Sequence, residues 1–292
     1  MSPPAEVFLP YRPPFAADRL LSFFTARAIP GIEQVEGGTY RRSIAIAEGS
    51  GAVIALTPDP DRDVVHLRVT GVDEDDPAFE TIVQKAKRLF DLDANPVAID
   101  KALAGDPELA PLVETAPGTR VPGAVDGFGL AVRAIVGQQV SVSGARTTLG
   151  RIVTRLGRRL ASPEDGISHL FPTPAAMSTA SREDLPMPGA RAEALRELGR
   201  RVDSGELDLS GRGGFTATRD ALASIRGVGT WTLGYIAMRL GDPDAYPAGD
   251  LGVRHGIAAL GLPDDARSIA ARFETWRPWR AYATMHLWHA GT

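Results

Sequence analysis

The chain has 292 residues, 43% of them apolar and 23% charged, a composition that suits two or three soluble domains and excludes a low-complexity or fibrous protein. It has no cysteine, which removes disulfides, thiolate metal sites, iron–sulfur clusters and cysteine nucleophiles. Its net charge of −4 is unevenly spread: residues 1–119 hold 11 basic against 19 acidic side chains, and residues 120–292 hold 21 against 17, so the second part is the more basic one. Screening cuts off distant charge within about 10 Å, so this local excess matters more to a polyanion than the global sum.

In chain order, the start MSPPAEVFLPYRPPF lacks a basic stretch followed by an apolar one, and no run approaches the ~20 apolar residues of a membrane span. A cytoplasmic location with no membrane partner is therefore expected. Residues 17–28 read as a helix. Strands follow at Ser43-Ile44-Ala45-Ile46-Ala47 and Ala52-Val53-Ile54-Ala55-Leu56, about the turn Glu48-Gly49-Ser50-Gly51, and at Val65-His66-Leu67-Arg68-Val69, where apolar and polar residues alternate. Asp76-Pro77 opens a helix with Phe79, Ile82, Val83, Ala86, Leu89 and Phe90 on one face. This predicts an α+β domain with an antiparallel sheet over 1–95, ending at Asn95-Pro96. The remainder, 96–292, is helical, with segments near 97–104, 126–137, 141–157, 190–202, 217–224, 230–240, 251–259, 266–274 and 278–289. The tract Gly211-Arg212-Gly213-Gly214-Phe215 reads as a loop.

Two short patterns carry chemistry. In Ile225-Arg226-Gly227-Val228-Gly229-Thr230-Trp231 an apolar helix end runs through two glycines into a second helix, giving a helix-hairpin-helix over about 217–240. Glycines permit positive φ and close approach of a ligand, and the N–H groups that open the new helix suit a phosphate without any cationic side chain. Taken alone, an ordinary helical connection is an equal reading. Downstream, the loop 246–254 (Tyr246-Pro247-Ala248-Gly249-Asp250-Leu251-Gly252-Val253-Arg254) sets Asp250 just before a helix. Taken alone, Asp250 is an N-cap.

Together these patterns resemble the helix-hairpin-helix DNA glycosylase superfamily. The segments Arg133-Ala134-Ile135-Val136-Gly137-Gln138-Gln139-Val140-Ser141-Val142 and Trp276-Arg277-Pro278-Trp279-Arg280-Ala281-Tyr282 narrow the resemblance to its alkylation-repair branch, the bacterial 3-methyladenine DNA glycosylases II. So do Thr25-Ala26-Arg27-Ala28, Leu89-Phe90-Asp91-Leu92 and Arg191-Ala192-Glu193-Ala194-Leu195. The resemblance implies a mostly α fold with an N-terminal α+β domain and two helical subdomains flanking an active-site cleft. It implies Asp250 as the catalytic carboxylate and Trp231, Tyr235 and Trp288 as the base pocket. Gly227, Val228, Gly229 and Thr230 would form the DNA-binding hairpin, and Gln139 the wedge that fills the gap left in the DNA stack. The best-known member has an apolar residue at that wedge, and a second acidic residue can occur where this chain has Gly249.

The implied activity is hydrolytic excision of alkylated bases, 3-methyladenine and 7-methylpurines among them, from double-stranded DNA, by a nucleoid-associated monomer. An extruded cationic purine stacks well on indole. Related strand-nicking enzymes carry a lysine at the Trp231 position, whereas the only lysines here are Lys85, Lys87 and Lys101, so no lyase activity is expected. No cofactor is required, with a structural monovalent cation on the hairpin carbonyls an option that family members show. His286 and His289 have no supporting ligands at metal spacing, so no metal site is expected. Phe23 and Phe24 read as core first, with an approach to the active site as the alternative. The rival functions are a glycosylase for deaminated or oxidised bases and a non-catalytic DNA-damage binder; Asp250 argues against the latter.

Overall fold

The computed structural model describes residues 4–46, 50–209 and 215–291, and neither the Glu48-Gly49 part of the expected turn nor the tract 211–214 lies among them. The N-terminal half builds an antiparallel sheet from β1 (Ala5–Pro10), β2 (Glu33–Glu36), β3 (Thr39–Ala45), β4 (Gly51–Asp59) and β5 (Val64–Thr70), in the order β1-β5-β4-β3-β2. Val65, Leu67 and Val69 are buried while His66 and Arg68 between them are partly exposed, which is the two-residue period of a one-sided sheet. Helix α1 (Ala17–Arg27) lies between β1 and β2, and α2 (Pro77–Phe90) follows β5. The Asp76 carboxylate caps α2, accepting from the Ala78 N–H at 2.7 Å, and Ile82, Val83, Ala86, Leu89 and Phe90 form its buried face.

The rest is helical: α3 (Pro96–Leu103), α4 (Ala110–Thr115), α5 (Gly127–Val136), α6 (Val142–Leu156), α7 (Pro174–Ser178), α8 (Gly189–Asp203), α9 (Phe215–Ala223), α10 (Thr230–Arg239), α11 (Leu251–Ala259), α12 (Ala266–Thr275) and α13 (Arg280–Ala290). A two-stranded hairpin, β6 (Arg159–Glu164) and β7 (Ile167–His169), interrupts them. The nine helical segments expected beyond residue 95 all form. The periodicity missed α4 and α7, too short to show a 3.6-residue repeat, and the strands β1, β2, β6 and β7. In β6 only Leu160 is buried, so its sequence lacks the alternation that would identify it.

Two large cores organise these elements. The first joins the sheet, α1, α2 and α3 to residues from the far end of the chain, among them Met238, Val253, Ile257, Phe273 and Leu287. It therefore runs through the Asn95-Pro96 junction, where the Asn95 side chain caps α3 by accepting from Ala98 N–H. The second gathers α5, α6 and α8 with Leu222, Ile225, Ile236 and two residues from the N-terminal part, Ile29 and Ile32. Tyr235 packs against both cores, and the cleft described next opens at that seam.

Candidate active site

Three helices converge on one carboxylate. Asp250 is the N-cap of α11, and its Oδ1 accepts from the Val253 N–H at 2.9 Å. The same oxygen accepts from Trp288 Nε1 on α13 at 2.8 Å, and Oδ2 accepts from Trp231 Nε1 on α10 at 2.7 Å. Hydrogen bonds to a charged acceptor contribute about 1.5–3 kcal/mol each, and the α11 N-terminus adds a favourable dipole. The capping reading and the functional reading of Asp250 thus hold together: the turn that caps the helix also aims the carboxylate. Two glycines permit this convergence. A Cβ on Gly256 would lie 2.2 Å from the Leu287 carbonyl oxygen, so only glycine lets α11 sit this close to α13. A Cβ on Gly252 would lie 2.8 Å from Trp288 Cδ1 and 3.0 Å from Asp250 Oδ1.

The carboxylate faces a cleft of about 1040 Å³ lined by Phe23, Trp231, Tyr235 and Trp288 as well as polar groups. Trp231 and Tyr235, one turn apart on α10, stack with ring centroids 5.4 Å apart and planes at 13°. Trp288 lies 6.3 Å from Tyr235 and stacks on Phe23 at 6.1 Å and 11°. Phe24, next to Phe23, turns the other way and stacks on Tyr40 and Phe90 in the core.

Arg27, Arg42, Arg133, Arg146 and Arg239 all line this cleft, and Arg27 and Arg239 stand against its aromatic rings. Arg239 donates to the carbonyls of Pro122 and, at 2.7 Å, Gly123, and its Nη1 donates to the Tyr235 hydroxyl at 2.7 Å. Arg27 lies 4.0 Å over the Phe23 ring and 5.8 Å from the Trp288 ring. Burial lowers the Arg27 pKa, an effect that Tyr235 and Asp250 oppose. Burial pushes the Tyr235 phenol up, but Arg239 and Arg27 outweigh it and leave the phenol below its ordinary value. Beneath the cleft Glu33 binds Arg133 at 2.8 Å and Arg42 at 3.2 Å and accepts from the Tyr40 hydroxyl at 2.7 Å. Burial would raise the Glu33 carboxyl, but these two arginines hold it at about 2.

At the cleft mouth stand the hairpin and the loop after α5. Gly227 has φ +93 and needs to be glycine; Gly229 (φ −98) is the N-cap of α10 and has ordinary extended backbone. A Cβ on either would meet nothing within 4 Å, so the hairpin backbone is open to a large ligand. Val228 is buried beneath the turn and Thr230 is exposed. Gln139 is exposed on the opposite lip with φ +56, while its neighbour Gln138 reaches across, donating through Nε2 to the Gly227 carbonyl at 2.8 Å and to Thr232 Oγ1 at 2.9 Å.

The structure thus brings Asp250, Trp231, Tyr235, Trp288, Gln139, Gly227 and Gly229 to one cleft. Sequence reasoning missed Arg27, Gln138, Arg239 and Gly252, while Phe23 and Phe24 are buried in the first core and also line the cleft. The spacing of Arg239 four residues after Tyr235, one turn along the same helix face, is the signal that was available for one of them. His286 is fully buried on α13, and His289 hydrogen-bonds the Met285 carbonyl at 2.8 Å.

An α+β layer, two cores and a hairpin beside an aromatic cleft that Asp250 faces define the helix-hairpin-helix DNA glycosylase fold. A solved structure titled 3-methyladenine DNA-glycosylase, from Archaeoglobus fulgidus, superposes with a TM-score of 0.80 over 98% of this chain and 97% of that one, at 23% identity. The family described as the AlkA N-terminal domain matches residues 6–126. DNA-3-methyladenine glycosylase 2 of Escherichia coli is 34% identical over 285 residues, 96% of each chain, and the chain belongs to that enzyme's family. A Mycobacterium tuberculosis protein named probable bifunctional transcriptional activator/DNA repair enzyme AlkA is 41% identical over 281 residues. That match takes in 96% of this chain and 56% of the longer relative, so the chain spans little more than half of it.

Proposed function

We propose that this protein excises alkylated bases from double-stranded DNA by hydrolysing the N-glycosidic bond, without cutting the strand. The observation that carries the reading is the Asp250 carboxylate, held by two indole N–H groups at the wall of an aromatic cleft. Duplex DNA seats its backbone on the open hairpin around Gly227 and Gly229, the target nucleotide leaves the stack, and Gln139 fills the gap. Methylation of a ring nitrogen makes the purine cationic, and Trp231, Tyr235 and Trp288 offer it electron-rich faces. Such a base leaves readily: the bond from C1′ breaks, its electron pair passes to the base, and the base departs neutral. Asp250 stabilises the positive sugar that remains. Water adds at C1′ and releases a proton.

None of Lys85, Lys87 and Lys101 lines the cleft, and Trp231 stands where a Schiff-base lysine would be needed, which supports a hydrolytic reaction only. A structural monovalent cation at the hairpin would share the Gly227 carbonyl with Gln138.

The test is release of 3-methyladenine and 7-methylguanine from methylated duplex DNA by wild type and Asp250→Asn, with binding to an abasic-site analogue measured in parallel. Wild type releases both bases; the variant keeps its affinity and loses roughly a hundredfold or more in rate. A wild type that binds DNA and releases no alkylated base refutes the assignment. Borohydride treatment during turnover yields no covalent complex; a trapped adduct refutes the hydrolytic reading.

A further inference from the structure

Arg27 and Arg239, two of the arginines that line the cleft, differ in what holds them. Arg239 commits its donors to two carbonyls and the Tyr235 hydroxyl. The Arg27 Nη1 donates a long hydrogen bond to the Phe23 carbonyl at 3.5 Å, the guanidinium also hydrogen-bonds the Tyr235 phenol, and among the described residues it forms no ion pair with a carboxylate. It is kept in place by lying 4.0 Å over Phe23, and it faces the ring of Trp288, the same indole whose Nε1 edge holds Asp250. A guanidinium carries five donors and a permanent charge. Such a charge beside the proposed pocket repels a cationic base, so simple affinity for alkylated purines does not account for it.

The geometry points to Arg27 as the leaving-group counterpart of Asp250: the carboxylate stabilises the charge that develops on the sugar, and the guanidinium stabilises the electron pair that the departing base receives. This rests on the glycosylase reading above. When the C1′–N bond breaks, both electrons go to the base and water supplies hydroxide to C1′, releasing one proton. A cationic purine leaves as a neutral base and the proton goes to solvent. A neutral purine leaves as an anion and takes up that proton. In both cases the base becomes more negative by one charge, so Arg27 favours departure of either. The two differ before the reaction. Arg27 opposes entry of the cation and is indifferent to entry of the neutral base.

The charge argument separates binding from rate. At an effective dielectric of about 20, a unit charge about 6 Å away shifts an equilibrium by roughly a hundredfold, and partial charge transfer in the transition state reduces this to roughly tenfold. Single-turnover base release is measured with duplexes carrying one 7-methylguanine, the cationic probe, or one hypoxanthine, the neutral probe. Wild type, Arg27→Met and Arg27→Lys are compared over a range of enzyme concentration, with thermal unfolding as a control. In Arg27→Met the saturating rate falls roughly tenfold for both probes. Half-saturation tightens by roughly a hundredfold for 7-methylguanine, which carries its full charge before the reaction, and stays put for hypoxanthine, so the second-order constant falls only for the neutral base. Arg27→Lys, which keeps the charge, restores most of the rate.

Equal changes in half-saturation for the two probes, or saturating rates that do not move, overturn the proposal. So does a wild type that releases 7-methylguanine and not hypoxanthine, since Arg27 then assists no neutral base. Release of neither probe by wild type sinks the glycosylase reading instead. Arg27→Gln serves as the neutral variant should the methionine one fail to fold, and the same split between probes is required of it.

Discussion

Replacing Gly252 by alanine adds one methyl group where the site has no room for it. The new carbon would stand 2.8 Å from Trp288 Cδ1, 3.1 Å from Trp288 Nε1 and 3.0 Å from Asp250 Oδ1. Asp250 is fixed by its capping turn, so the indole is the group that has to give, and its 2.8 Å hydrogen bond to the carboxylate is lost. One hydrogen bond to a charged group is worth about 2 kcal/mol, equivalent to roughly thirtyfold in rate if it is felt in the transition state. Global stability should change far less, because alanine recovers up to about 1 kcal/mol of helix propensity within α11. The assay is single-turnover release of 7-methylguanine alongside thermal unfolding and abasic-site binding. Expected are a rate down by roughly thirtyfold, a midpoint within about 3 °C of wild type and intact DNA affinity. A rate unchanged in Gly252→Ala would refute the claim that the Trp288–Asp250 contact matters. Gly249→Ala is the contrast: its Cβ would meet nothing within 4 Å, so its cost is backbone strain at φ +79 and not displacement of the tryptophan.

Trp231→Phe keeps a ring against Tyr235 but removes the N–H that binds Asp250 Oδ2, so base release should slow by about tenfold to thirtyfold; an unchanged rate would mean that one indole suffices. Glu33→Gln leaves Arg133 and Arg42 without their buried partner, a loss of about 3–5 kcal/mol, and calorimetry should show the midpoint falling by roughly 10 °C. His286 is buried neutral, its pKa lowered by burial to about 4. In the unfolded chain it takes up a proton near pH 6.5, so its contribution is full above that pH and is lost as pH falls toward 4, to the extent of about 3 kcal/mol. Asp91, raised by burial to about 6, acts with the opposite sign, stabilising the fold at acid pH and losing that contribution as pH rises through 6. The comparison of wild type with His286→Leu isolates the histidine: unfolding midpoints of wild type should fall more steeply between pH 6.5 and pH 4, and parallel slopes would count against the assignment.

The cap formed by Asp250 was legible locally, as an acidic residue opening a helix, and its place in the cleft was expected only from the resemblance. Trp231 and Tyr235 share a helix face by spacing alone. Arg27 was not legible, because what makes it unusual is Trp288, a residue at the opposite end of the chain. Phe23 and Phe24 show the same limit within one helix. Adjacent residues on α1 point roughly 100° apart, and only tertiary packing decides that Phe23 stacks on Trp288 and Phe24 on Tyr40 and Phe90. Gly252 and Gly256 look like weak points in a helix and are instead the places where a neighbour comes closest. The first core runs through Asn95-Pro96, where the sequence suggests a boundary, because local pattern carries no information on which distant helices complete a core.

The division of the two cores also bears on how the chain is made. The second core is nearly contiguous in sequence, running from Phe128 to Ile236 with only Ile29 and Ile32 drawn from earlier. The first core needs both ends of the chain, residues 5–125 and then Met238 to Leu287. On the ribosome the sheet emerges long before the helices that cover it, and the second core can condense while the first still waits. The aromatic cleft, with Phe23 on one side of that wait and Trp288 on the other, is then among the last features to form. A nascent or truncated chain lacking α13 would carry its hairpin without a completed pocket, able to touch DNA but with no means of acting on it.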